Sequence, residues 1–117
     1  MTIRNFLDKE LKNEAIHGGE GLCRHAEIFG DKDIDAPVKF INYTVVPPRC
    51  SFGMHKHGSD NEFYIVLSGE GEYMQDSETA RVKKGDIIMN APFASHCIVN
   101  TGGEDMALLV FEAAVAN

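Results

Sequence analysis

The stretch His55-Lys56-His57-Gly58-Ser59-Asp60-Asn61-Glu62 decides how the rest of the chain is read. In a strand, residues two apart share a face and lie about 6–7 Å apart along the chain. His55 and His57 then project to one side, and Lys56 turns to the other. Two imidazoles on one face can converge on a single ion, each at about 2.1 Å. Gly58–Asn61 is a polar turn, and a hairpin through it returns Glu62 to the side of the histidines. A carboxylate there offsets the charge of a divalent cation, and a lone inward glutamate is costly to bury. Taken singly, each residue has a plainer reading: an exposed histidine pair, and a solvated glutamate at the edge of a turn.

His96 is the third imidazole. It falls in a strand predicted over 95–100, and Asn100, four residues later, shares its face. From Leu22 onward the chain alternates short apolar runs with turn residues. The runs predict strands near 22–29, 38–46, 51–57, 62–68, 71–75, 79–83, 86–89, 95–100 and 105–113. This rhythm is the mark of an all-β sandwich or barrel. Ahead of it, residues 2–12 read as one short helix, capped by Thr2, with Ile3, Phe6, Leu7 and Leu11 at helical spacing. The loop 17–21 ends that helix, so the expected organisation is helix and loop over 1–21 and one barrel over 22–117.

The whole-chain properties narrow the choice of partner. The 117 residues suit a single domain, and 44% hydrophobic with 25% charged residues is ordinary for a globular protein. The formal charge is −7, from 18 acidic against 11 basic residues, with no basic run or stripe. Nucleic acid and anionic membranes are therefore not expected partners. Residues 1–8 lack the apolar core of a signal peptide. The most apolar stretch, Met106–Val115, is too short to span a bilayer, carries Glu112, and reads as a buried strand. Cys23, Cys50 and Cys97 are widely spaced and odd in number, which fits reduced thiols in a cytoplasm. In a strand Cys97 points away from His96 and serves packing.

His55-Lys-His57, Glu62 and Gly69, followed by Gly85-Asp86, Pro92, His96 and Asn100, resemble the two motifs of the cupin superfamily in their usual order. The resemblance covers roughly residues 38–112. It implies an antiparallel double-stranded β-helix, the jelly-roll barrel, with His55, His57, Glu62 and His96 as metal ligands. It further implies one divalent transition metal per chain (Mn, Fe, Ni, Cu, Co or Zn). Arg49 stands where the first motif opens with Gly, and Phe93 and Ala94 where the second usually has Gly in its turn. Neither departure touches a ligand position. Cupins of this size are commonly homodimers in which an N-terminal strand completes the partner's sheet, and 22–30 is the segment that would do so here.

Three neutral imidazoles and one carboxylate leave a net charge of about +1 on a divalent ion. An octahedral ion would keep two positions open for water or a chelating ligand. Cupins with this ligand set include dioxygenases, decarboxylases, lyases and isomerases, so the resemblance names no single reaction. The leading expectation is an enzyme acting on a small oxygen-rich metabolite: a carboxylate, a hydroxy-acid or a sugar derivative. A non-catalytic module binding a metabolite or metal, and an ion that only pins the barrel, stay open. Arg49, Tyr43, Asn42 and Tyr64 are the pocket candidates, Arg49 because its spacing from the histidines is even. A general base would have to be a metal-bound hydroxide or a pocket tyrosine.

Overall fold

The computed structural model describes residues 1–56 and 58–114. Ten strands are present among them: β1 Lys12–Glu14, β2 Cys23–Gly30, β3 Val38–Val46, β4 Ser51–Lys56, β5 Asn61–Ser68, β6 Glu70–Gln75, β7 Glu78–Lys83, β8 Ile87–Asn90, β9 Ser95–Val99 and β10 Met106–Ala113. They form two antiparallel sheets, ordered β1-β2-β3-β10-β5-β8 and β4-β9-β6-β7. The sheets face each other as a jelly-roll barrel, as the turn spacing predicts.

Alternation makes these strands and aims them. On β5, Glu62, Tyr64 and Val66 are buried while Phe63, Ile65 and Leu67 are half-buried on the other face. On β10, Met106, Leu108 and Val110 join Val46, Tyr64 and Val66 and, from the opposite sheet, Phe52 and Ile98 in one core. Each such side chain stabilises the fold by about 1.5–3 kcal/mol through burial. At the β5–β6 corner, Gly69 has φ +83, and a Cβ there would meet the Met106 Cα at 2.7 Å. Only glycine fits that corner.

Asn100 belongs to the frame of the barrel. It is fully buried, and its Nδ2 donates to the carbonyls of Val46 (2.8 Å) and Glu104 (2.7 Å). Its Oδ1 accepts from the Gly102 N–H at 2.9 Å. One side chain thereby ties the end of β3 to the β9–β10 turn.

The expected helix over 2–12 does not form. The described helical element is a 3-10 turn at Ile16–Gly18, and residues 12–14 are strand β1, paired with β2. A helix of that length is marginal without a surface to pack on. The extended arm instead lays Phe6 and Leu11 on the outer face of the large sheet, with the Phe6 ring 4.6 Å from that of Tyr43. Arg4 anchors it by donating to the Ile28 carbonyl at 2.6 Å and pairing with Asp33. Strand β1 covers the edge of β2, which would otherwise be open. β2 consequently lies inside its own chain's sheet, between β1 and β3.

Candidate metal centre

His55 and His96 sit directly opposite one another on β4 and β9 of the smaller sheet. Glu62 reaches them from β5 of the larger sheet, so the site bridges the two layers. Between Phe52 and His55 the β4–β9 register shifts. Such a bulge re-aims the side chain that follows it. Gly53 lies in it, and a Cβ there would meet the His17 carbonyl oxygen at 2.0 Å. The 3-10 turn can therefore lie against β4 only because position 53 is glycine.

His96 is fully buried and Glu62 is 4% exposed. The His96 Nε2 lies 3.3 Å from Glu62 Oε1, and His55 Nε2 lies 3.9 Å from the same oxygen. The ligand atoms of His55, Glu62 and His96 all fall within 4.8 Å of one another. Bonds of about 2.1 Å put neighbouring ligand atoms about 3.0 Å apart at a right angle and about 3.4 Å apart at a tetrahedral one. The His96–Glu62 separation meets that requirement, and His55 needs to close by about half an ångström. His55 Nδ1 donates to the Gly53 carbonyl at 2.9 Å, which leaves the Nε2 lone pair for an ion. The donor set and its geometry fit a divalent transition metal.

The electrostatics agree with this arrangement. Burial pushes the His55 imidazole down, but Glu62, the Gly53 carbonyl and Glu112 together outweigh it and hold the ring above its ordinary value. Tyr64 and Tyr73 flank His96, their rings 6.0 and 6.4 Å from it. Burial, then the Glu62 carboxylate, push the Tyr64 hydroxyl well above 10. The same two causes raise Tyr73 to about 12. Both phenols therefore stay protonated near neutral pH and are donors, so neither is a ready general base. Tyr73 donates to Asn90 Oδ1 at 2.5 Å, and Asn90 is the cross-strand partner of Glu62.

A cavity of about 370 Å³ adjoins the cluster at Glu62, with Tyr64 and Asn42 also among the residues lining it. Tyr43 is instead buried on the outer face of the large sheet, beneath Phe6. Arg49 is exposed in the β3–β4 turn at φ +67, and it is not among the described residues that line the cavity. The bulge at Gly53 breaks the even spacing that would have aligned Arg49 with His55. His57 lies outside the described residues.

Two residues near the site escaped the sequence reading. His17 stacks on His55 with ring centroids 3.6 Å apart, and a loop histidine carries no pattern that foretells this. Glu112 is 9% exposed and lies directly across from Glu62. Its signal was available: one acidic residue at an inward position of a strongly apolar strand.

Comparison with known proteins agrees with the geometry. The profile described as the cupin domain matches residues 42–112. An oxalate-binding protein of Thermotoga maritima is 30% identical over 109 residues, spanning 93% of this chain and 90% of that protein. The crystal structure of a predicted oxalate decarboxylase from the same organism superposes with a TM-score of 0.92 at 26% identity, covering 98% of this chain and all of that one. The polyketide cyclase RemF of Streptomyces resistomycificus shares the fold, with a TM-score of 0.78 at 20% identity over 97% of this chain and 79% of its own. With a profile that spans both halves of the His–Glu cluster and a relative alike along nearly its whole length, the chain belongs to the cupin family.

Proposed function

We propose that this cupin holds one divalent transition metal ion through His55, Glu62 and His96, with His57 as the fourth ligand, and acts on a small oxygen-rich metabolite bound beside it. The observation that carries this reading is the convergence of three ligand atoms within 4.8 Å, with Glu62 shared between that group and a 370 Å³ cavity. A bound ion of this class supplies Lewis acidity toward a carboxylate or hydroxyl oxygen. Glu62 provides the compensating negative charge. Tyr64, kept protonated, hydrogen-bonds to the Glu62 carboxylate and helps hold it in place, and the Gly53 carbonyl holds the His55 tautomer. The name of the Thermotoga relative supports a carboxylate ligand, and it equally supports a second reading in which the site binds without catalysing.

We also infer a homodimer and a reducing, cytoplasmic compartment. Ile87 and Met89 on edge strand β8 are 68% and 61% exposed and continue an apolar sheet face, which supports a second copy as the partner. All three cysteines are free thiols, and no described helix is long and apolar enough to cross a membrane.

Elemental analysis of untagged protein tests the metal. About one Mn, Fe, Co, Ni, Cu or Zn per chain is expected, and the variant combining His55→Ala with His96→Ala should carry none. A metal that binds the native state also raises the melting temperature, so the variant should lose that increment. Metal content unchanged in the double variant would refute the ligand assignment.

A further inference from the structure

His17 is an imidazole beside the metal cluster that the ligand assignment does not use. It stands in the 3-10 turn between β1 and β2 and is exposed. The same residue stacks on His55, with ring planes 16° apart and centroids at 3.6 Å, and lines the cavity that reaches Glu62. The turn is built to keep it there. His17 has φ +50, a left-handed backbone that a non-glycine residue holds only when its surroundings fix it. Those surroundings are the main chain of β4. The Ser51 N–H donates to the Glu20 carbonyl at 3.0 Å, and the Ser51 hydroxyl accepts from the Glu20 N–H at 2.9 Å. Glycine at both 19 and 53 lets the two segments meet backbone to backbone, since a Cβ at either would collide with the other. Strain of this kind collects at ligand-binding positions.

The other walls of the cavity indicate what His17 does. A carboxylate ligand needs donors, and no lysine or arginine is among the described residues lining the cavity. Glu14 and Glu62, when ionised, are acceptors only. Tyr64 is hydrogen-bonded to Glu62, and His25 and Thr44 are bonded to each other at 2.7 Å. The Asn42 Oδ1 is buried. His17 differs from all of these: it is exposed at the cavity, and an imidazole carries an N–H in either tautomer. Such a donor makes a strong, charge-assisted hydrogen bond to a carboxylate.

We propose that His17 is a ligand-binding residue, whose N–H donates to the carboxylate of the small metabolite that meets the ion beside Glu62. This deepens the metal reading above and rests on it for the other side of the ligand.

Oxalate is the probe, titrated calorimetrically into manganese-loaded protein and into metal-free protein, with manganese content measured on the same samples. His17→Phe keeps a ring to stack on His55 and removes the N–H. It should weaken oxalate about tenfold, the low end for one hydrogen bond to a charged group, with manganese content unchanged. His17→Gln, which restores an N–H donor, should recover part of that loss. His17→Leu replaces His17→Phe should the latter fail to fold. Oxalate that binds His17→Phe like the wild type, or His17→Gln no better than His17→Phe, overturns the assignment. Manganese lost together with oxalate in His17→Phe overturns it too, because His17 would then serve the ion. Manganese-loaded wild type that binds no oxalate overturns it and leaves the metal centre standing. Wild-type protein that takes up no manganese, yet whose oxalate binding still weakens on His17→Phe, supports His17 and overturns the metal centre instead.

Discussion

The two faces of the six-stranded sheet depart from the usual antiparallel pattern, in which one face is apolar core and the other solvated. Toward the barrel interior, β2, β3, β5 and β10 present His25, Asn42, Thr44, Glu62 and Glu112 in addition to core residues. Toward the outside the same strands present Ile28, Tyr43, Val45 and Ala107, with Leu67 and Leu109 packed against them. Phe63 and Phe111 stack on that outer side with centroids 4.7 Å apart. The inner polarity lies at the end of the barrel near His55, Glu62 and His96, and Met106, Leu108, Val46 and Val66 fill the other end. Polar residues inside line the cavity; apolar residues outside are where the N-terminal arm packs on the sheet. The N-terminal arm covers part of the outer face, and Ile87 and Met89 stay exposed at the β8 end.

The largest effect should come from the sealed inner end. Leu108 is fully buried, and Leu108→Ala should cost about 2–5 kcal/mol, the range for a cavity left in a close-packed core. Phe111→Ala, on the half-covered outer face of the same strand, should cost less. Urea denaturation of both variants separates them, and equal losses would erase the distinction between the faces.

Substituting both Ile87→Lys and Met89→Lys should halve the mass seen by light scattering while leaving the circular dichroism spectrum intact, if this edge is where two copies meet. Wild-type protein that is monomeric at micromolar concentration would remove the dimer. An unaltered dimer in the variant would move the contact to another part of the surface.

The smallest effect concerns the arm. The Asp33 carboxyl is held down from 3.8 to about 2, first by its hydrogen bond from Arg4 and then by the Gly30 N–H. A carboxyl whose folded value is depressed adds stability above its unfolded value, and that stability is lost as pH falls through the folded one. The difference in melting temperature between wild type and Asp33→Asn should therefore be present at neutral pH and shrink between about pH 4 and about pH 2. A difference independent of pH would mean that the Arg4–Asp33 pair does not hold the arm.

Much of this was legible before any coordinates. Val66, Leu108 and Ile98 alternate with residues of the opposite face, and a period of two is a local property that sequence shows directly. Glu62 and His96 were marked by residue type and spacing, and the structure brings them to 3.3 Å. Lys12–Glu14 misled because helical spacing of Ile3, Phe6, Leu7 and Leu11 takes no account of the sheet edge waiting beside it. Tyr43 differs from Asn42 by one position and so lies on the opposite face; nothing local says which of the two faces inward.

The sequence by itself determined the strand rhythm, the cupin family and the types of residue available to hold an ion, because these follow from local periodicity and side-chain chemistry. Only the tertiary structure decided that a bulge at Gly53 turns His55 toward Glu62, that His17 stacks on His55 and Glu112 lies across from Glu62, and that Asn42 rather than Tyr43 lines the cavity. Register shifts and cavity walls arise from pairing between segments far apart in the chain, and no window of neighbouring residues contains that information.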